Sequence, residues 1–385
     1  MNERFLLPDR FEGLYETIGD RDITKIIAPV DYGINTIQDV YEEIYSSGRG
    51  SFLILLGNSG SGKTTFLRTL DLFIENVEIL TISNEMDIRS EINKLTESKY
   101  ELRIVIIEGR ESILDMSNTE VTAAIHMINS FIRSPKGKKS LVVWPCNDKD
   151  IVDNLVETSR TVGGTALLGL KDTYFSFNGP DKTQFVNIAK QTVELLNNGK
   201  TLFDFGITDE IADNYVNGVS TIGEYLKLIN SQVRKNKNFV RNLKVKDHCK
   251  MWVIVLGQNE PSKDVEALTK GEFLDADVQR LLVSTEANLV QDLKKIPDKI
   301  ALLSNYLDTK IIYIPIVDAL SIVRSYANDD LRSVMKAKGM LLNKDPKIVE
   351  RLQNSELVRM IQMDTKLMGK KVLLEQTVLI HLGNF

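Results

Sequence analysis

Eight consecutive residues, Gly57-Asn58-Ser59-Gly60-Ser61-Gly62-Lys63-Thr64, fit G-x-x-x-x-G-K-[ST] without a mismatch, and Thr65 follows them. The residue types define a chemistry. Gly57, Gly60 and Gly62 lack a Cβ, so the backbone can curl until its N–H groups converge on one point that a phosphate can approach closely. Lys63 brings a full positive charge to the terminal phosphates, and the Thr64 hydroxyl can ligate Mg²⁺. A helix beginning near Lys63 adds the positive end of its dipole to the same point. Gly57 through Thr65 is therefore read as a site for a nucleoside triphosphate with its metal.

A second group of residues completes such a site. Ile104 to Ile107 run straight into Glu108, the pattern of a Walker B strand, whose acid holds Mg²⁺ through water. Thr64 and Glu108 are thus the expected metal residues. Glu111 is the nearest acid that can polarise an attacking water; a solvated helix-start residue is the competing reading. Asn147, at the end of an apolar run, has the position of a helix N-cap or turn residue.

These residues need a sheet to hold them. Phe52 to Leu56 form an apolar run of the length and bulk of a strand buried on both faces. Val77 to Ser83, Leu102 to Ile107 and Ser140 to Trp144 read as further strands, and Tyr174 to Phe177 as the last. Helical spacing appears between them: Ile37, Val40, Tyr41 and Ile44 ahead of the loop, a charged segment from Glu85 to Thr96, and Val121, Ala124, Ile125, Ile128, Phe131 and Ile132 within 118 to 133. A short helix is expected from Ile151 to Arg160. At Asn178-Gly179-Pro180 the pattern changes to helices, over Gln184 to Leu196, Asp209 to Val216 and Ser220 to about Val233. Thr221 and Glu224 have the spacing of a capping box.

Composition sets limits. With 385 residues, the chain exceeds the roughly 250 to 300 at which single cores stop growing, so two or three domains are expected. A net charge of −5 excludes a protein basic overall but not a local basic groove. Arg234 to Lys246 is such a stretch, with six cations and no acid; Phe239 is available for stacking on a base. A hinge or solvated helix end has the same composition. Cys146 and Cys249 lie too far apart for a CxxC and indicate neither zinc nor a disulfide framework. No apolar stretch reaches the length of a membrane span, and the N-terminus has no signal-peptide core, so the cytoplasm is the expected compartment. In 247 to 385, strands are expected at Met251 to Leu256, Arg280 to Val283 and Lys310 to Ile316, with helices to about Arg359. Asp247 and Glu260 flank a strand as nuclease carboxylates can, but no E-x-K follows.

On these motifs, residues 1 to 245 resemble an AAA+-like P-loop ATPase of the additional-strand class. Kinases and GTPases usually place the P-loop and Walker B strands side by side, whereas this class inserts another; one complete strand lies between the two here. The resemblance implies an α/β fold with a parallel sheet flanked by helices (1–180) and a helical lid (181–245); outside it, the strands and helices of the remainder read as a C-terminal α/β to mainly helical domain (246–385) for interaction or regulation. It implies ATP and Mg²⁺ as cofactors, ATP hydrolysis, a homo-oligomer, and a protein partner met through the C-terminal domain. Nucleic acid would be met through 234–246. It also casts Lys63, Glu108, Glu111, Asn147 and Arg160 as the catalytic set, with Asn147 as sensor 1 and Arg160 as an arginine finger for a neighbouring subunit. Arg133 is the rival finger, and pairing with a helix dipole is the ordinary role for either. Tyr32 and its neighbours either contact the base or cap the sheet.

The chain departs from the family pattern in three places. Glu108 stands where Asp is usual, Gly109 where a catalytic Glu is usual, and Ile222-Gly223-Glu224-Tyr225 holds no sensor 2 Arg. A lone core with an unfamiliar C-terminal part is similar to ATPases of prokaryotic mobile-element and antiviral systems. The alternative is a nucleotide-gated binding switch with little or no hydrolysis, supported by Gly109; a small-molecule kinase is disfavoured by the inserted strand.

Overall fold

The computed structural model describes residues 5–18, 24–111, 117–164, 167–168, 173–243, 251–257, 261–270, 274–284, 288–340, 346–355 and 358. The chain divides into two compact units, one of 1–202 with 209–234 and one of 203–208 with 235–385.

The first unit opens with α1 (Phe11–Ile18) and α2 (Asp31–Ser47). Gly48 closes α2 in the left-handed region, φ 65°, donating its N–H to Ile44 O. There follow β1 (Ser51–Leu56), α3 (Lys63–Arg68), β2 (Val77–Ile82), α4 (Ile88–Lys94) and β3 (Leu102–Ile107). Then come α5 (Asn118–Arg133), β4 (Ser140–Cys146), α6 (Lys149–Gly163) and β5 (Phe175–Ser176). The strands form one parallel sheet in the order β2-β3-β4-β1-β5. β4 separates β1 from β3, whereas β2, which separates them in sequence, lies at the sheet edge. The expected insertion is present, but β4 rather than β2 makes it.

Both faces of the sheet are covered, which is why its strands are continuous apolar runs rather than alternating ones. Phe52, Ile54, Val105, Ile107, Val142 and Trp144 pack in a core with α5 and α6 residues. Leu53, Leu55, Ile104, Ile106, Leu141 and Val143 pack in a second core with α2 and with Phe66 and Leu67 of α3. Behind β5 come α7 (Phe185–Leu196), α8 (Asp209–Asn217) and α9 (Ile222–Leu243). The Thr221–Glu224 capping box forms, with Glu224 N donating to Thr221 Oγ1 at 3.2 Å and Thr221 N to Glu224 Oε2 at 3.3 Å. Helix α9 runs on through the basic stretch as far as Leu243; Lys244 and Lys246 lie outside the described residues. Phe239 is exposed.

The second unit holds β6 (Trp252–Gly257), α10 (Pro261–Leu268), β7 (Thr269–Lys270), β8 (Asp275–Ala276) and α11 (Val278–Val283). After them come α12 (Asn288–Leu293), α13 (Pro297–Tyr306), β9 (Lys310–Pro315), α14 (Ile316–Tyr326), α15 (Asp329–Ala337) and α16 (Ile348–Gln353). Its sheet has the order β6-β9-β8-β7, with β6 and β9 parallel and the other pairs antiparallel. The strand expected at Arg280 to Val283 is instead helix α11. Asp277 caps it, accepting from Arg280 N at 3.1 Å, and Val278 and Leu282 turn the same way, four residues apart, into a small core with Ala301. Asp247, Cys249 and Glu260 lie outside the described residues. Among the described residues no helix is long and apolar enough to cross a membrane.

Candidate functional site

The loop between β1 and α3 takes its shape from three glycines. Gly60 and Gly62 sit at φ 82° and 91°, a region L side chains rarely adopt. At Gly57, a Cβ would lie 2.5 Å from Phe177 O, so the end of β5 can pass there only because the residue is glycine. Ser61 N donates to Asn58 O at 3.0 Å and closes the curl; Phe66 N donates to Gly62 O at 2.8 Å and starts the helix. Helix α3 is only six residues long, so the loop amides and Lys63 supply most of the positive character.

Lys63 is buried, and its ammonium is surrounded by acceptors. It donates to Gly57 O at 2.7 Å, Asn58 O at 3.3 Å and Asn147 Oδ1 at 2.6 Å. Burial holds its pKa below the usual lysine value, against the opposing pull of the Glu111 charge. Asn147 in turn donates from Nδ2 to Glu111 Oε2 at 2.8 Å, and its backbone N–H donates to Glu111 O at 3.2 Å. Lys63, Asn147 and Glu111 therefore form one continuous polar chain. The N-cap of α6 is Asp148, which accepts from Asp150 N at 2.8 Å, so the Asn147 amide is free of that duty.

The turn carrying Glu111 is pinned from both sides. Arg110 donates to Ser83 O at 3.1 Å, to Asn84 O at 3.3 Å and to Met86 O, and Trp144 Nε1 donates to Arg110 O at 3.0 Å. Gly109 sits at φ 72°, and a Cβ there would come within 2.8 Å of Asn84 Cβ. The turn itself disfavours a glutamate at 109. Cys146 packs beneath, its thiol pushed up to about 12 by burial and by the Glu111 charge.

Glu108 is buried and already partnered. Arg68, the last residue of α3, donates from Nε to Glu108 Oε1 at 2.8 Å and from a terminal nitrogen to Oε2. Thr64, one turn earlier, has no hydrogen-bond partner for its hydroxyl among the described residues. A hydroxyl and a carboxylate are hard oxygen donors suited to Mg²⁺; the carboxylate becomes available to the ion in exchange with Arg68. Among the described residues no group of three His, Cys, Asp or Glu side chains gathers for a metal elsewhere.

All of this opens on a cavity of about 450 Å³. Gly60, Lys63, Thr64, Glu108, Glu111 and Asn147 line its polar end, while Ile26, Val30, Phe66, Phe177, Ile188 and Leu226 line an apolar chamber. A phosphate chain and a flat apolar ring are matched by these two ends. Tyr32 is not among the lining residues. Its hydroxyl accepts from Asn178 N at 2.8 Å and donates to Gly179 O at 3.2 Å, while its ring packs beside Phe175 and Phe177. It ties α2 to the end of β5, and Ile26, Ile27, Ala28 and Val30 line the chamber instead. Arg160 is exposed on the last turn of α6 and Arg133 on the last turn of α5; neither lines the cavity.

A parallel sheet with β4 between the P-loop strand and the acid-bearing strand, followed by three helices, decides the architecture. The fold is an α/β P-loop NTPase fold with an additional strand between the loop strand and the acid-bearing strand. No family model matches the chain, and no curated protein does. Among solved structures it is similar to the Aeropyrum pernix ORC2 protein in ADPNP-ADP complexes, at 11% identity over 71% of this chain and 81% of that one, TM-score 0.39. The Aeropyrum pernix ORC1 protein in complex with DNA matches at 12% identity over 84% and 85%, TM-score 0.38. Cdc6p from Pyrobaculum aerophilum matches at 10% over 89% and 97%, TM-score 0.36. The fold assignment rests on the sheet order and the loop it carries.

The sequence pattern left two cavity cations out. Arg10 and Lys227 both line it, and Lys227 Nζ lies 3.7 Å from Asp9 Oδ2. For Lys227 a signal existed, since it follows Thr221 and Glu224 of the capping box by one further turn of α9. Arg10 lies in a segment whose sequence has no motif.

Proposed function

We propose that this chain binds ATP and hydrolyses it with Mg²⁺, and that its nucleotide state governs assembly with further copies and contact with a partner. The observation that carries the reading is the polar chain from Lys63 through Asn147 to Glu111 at the mouth of the cavity. Phosphate oxygens replace the backbone carbonyls and the Asn147 amide as acceptors for Lys63, and the loop amides hold the β- and γ-phosphates. Asn147 is then released toward the γ-phosphate, and its remaining bond to Glu111 conveys that change to the acid that orients water. When bound, Mg²⁺ neutralises charge on the β- and γ-phosphate oxygens. Thr64 offers it a hydroxyl, and Glu108 offers a carboxylate once Arg68 gives it up.

Residues 1–180 act as the core and 181–245 as the lid, and 246–385 reads out the state of the site to a protein partner. Arg160 is the group a neighbouring copy would receive. The exposed cations of α9, Arg234, Lys235 and Arg241, with Phe239 among them, support nucleic acid as a further ligand.

A second reading, a nucleotide-gated switch with little turnover, is favoured by Gly109, where the positive φ and the neighbouring Asn84 side chain disfavour a glutamate. Phosphate release and binding of a fluorescent ATP analogue separate the two. The hydrolase reading expects release by the wild type, loss of binding in Lys63→Ala, and binding without release in Glu111→Gln. Tight binding with no phosphate released in any oligomeric state favours the switch. Mass measurement with and without a non-hydrolysable ATP analogue tests assembly; an unchanged mass overturns that part.

A further inference from the structure

Glu108 has both carboxylate oxygens engaged by the fork of Arg68, in a setting where the acid is buried and the guanidinium only partly exposed. Thr64 and Arg68 are four residues apart on α3 and so share a face. The cation that answers Glu108 is thus supplied by the same short helix that offers the metal its hydroxyl. Building on the nucleotide-binding reading above, we infer that Arg68 sets how far this site depends on a divalent cation.

First, a planar guanidinium matched to a carboxylate by two hydrogen bonds is a stronger and more directional partner than a single ammonium. Mg²⁺ is drawn to this acid, directly or through its water, by the carboxylate charge, so it gains little from an acid already neutralised by Arg68. Second, with Arg68 in place the Glu108 charge is cancelled locally, and the cations lining the cavity, Arg10, Lys63 and Lys227, outnumber its remaining acids, Asp9 and Glu111. A triphosphate then meets a favourable potential without its metal. Removing Arg68 reverses this. A buried carboxylate is left unpaired beside the phosphates, and a divalent ion becomes the only group able to bridge acid and nucleotide.

Dissociation constants for a fluorescent ATP analogue, measured in MgCl₂ and in EDTA, test the inference on the full chain. For the wild type the two constants are expected to agree within about threefold, and for Arg68→Gln the metal is expected to tighten binding by at least about tenfold. Arg68→Lys keeps the charge and stem but loses the fork, so its metal ratio is expected between the two; it also carries the test if Arg68→Gln melts too low to assay. A wild type that binds only with metal overturns the inference while leaving nucleotide binding intact. So does a metal ratio in both variants equal to that of the wild type. Failure of the wild type to bind in either condition overturns the nucleotide reading itself, and this inference with it.

Discussion

Gly223, the second residue of α9, donates its backbone N–H to Gly60 O in the phosphate loop at 2.9 Å. The two glycines are packed face to face: a Cβ on Gly223 would meet Gly60 Cα at 2.9 Å and Gly60 O at 3.0 Å, and one on Gly60 would meet Thr221 Oγ1 at 3.2 Å. Helix α9 therefore begins directly on the glycine-rich loop, a contact that neither the capping-box spacing of Thr221 and Glu224 nor the lack of an arginine at 222–225 signals.

This contact gives a prediction whose sign is informative. Replacing a helical glycine by alanine ordinarily stabilises by about 0.5–1 kcal/mol. In Gly223→Ala the obstacle is backbone, not a yielding side chain, so the variant is expected to lose about 1–3 kcal/mol in chemical unfolding, and to bind the ATP analogue more weakly. Gly218→Ala, with nothing closer than 3.9 Å, is the control and is expected to stay near neutral. Equal behaviour of the two variants would show that α9 does not rest on the loop.

Burial lowers the Lys63 pKa in the ligand-free protein. Between that lowered value and the usual one, the unfolded chain binds more protons than the folded chain. Stability of the ligand-free protein therefore rises with pH through this window, and the charge penalty applies in full below it. Phosphates reverse the preference and restore the ammonium. Nucleotide affinity is expected to fall as pH rises through the lowered pKa, with protons taken up on binding. Calorimetry at a series of pH values below the usual lysine pKa, in buffers of different ionisation enthalpy, measures this uptake; heats independent of the buffer throughout would contradict it. Lys63→Met should lose binding and the pH-dependent stability together.

The sheet and its loop were legible because each signal is local. Ile104 to Ile107 ending at Glu108, and the apolar stripe from Val121 to Ile132, need no knowledge of distant residues, and β3 and α5 fall where periodicity puts them. What was misread or left open depended on partners. Residues 280–283 look β-prone alone, yet Asp277 and a core shared with Ala301 make them helical. Tyr32 lies near the site in sequence terms, but its hydroxyl is drawn to residues 178 and 179. Arg68 carries no motif, and only folding brings it to Glu108, forty residues along the chain.

Asn147 stands between Lys63 and Glu111, which separates binding from chemistry. Glu111→Gln keeps the size of the side chain and its bond to Asn147 while removing the base. Nucleotide affinity is expected to hold, with phosphate release reduced by about 10²–10⁴-fold. Asn147→Ala breaks both links, so it is expected to reduce release and also to change affinity. Unaltered phosphate release by Glu111→Gln would remove Glu111 from the reaction.

Arg160 sits at the far end of α6 from Asn147, about 20 Å away at the rise of a helix, and so has no route to the cavity of its own copy. Any catalytic role must be exercised on another copy. Phosphate release per protomer is then expected to rise with protein concentration, and Arg160→Ala is expected to lower the assembled rate by roughly 10³-fold. Mixing supplies the decisive arm. Lys63→Ala protomers hold no nucleotide but keep Arg160, while Arg160→Ala protomers hold nucleotide but lack the finger, so the mixture should release phosphate faster than either alone. Arg133→Ala, exposed at the end of α5, is the matched control. A loss that follows Arg133 instead would move the finger there, and a rate independent of concentration and of both arginines would show that each site works without a neighbour.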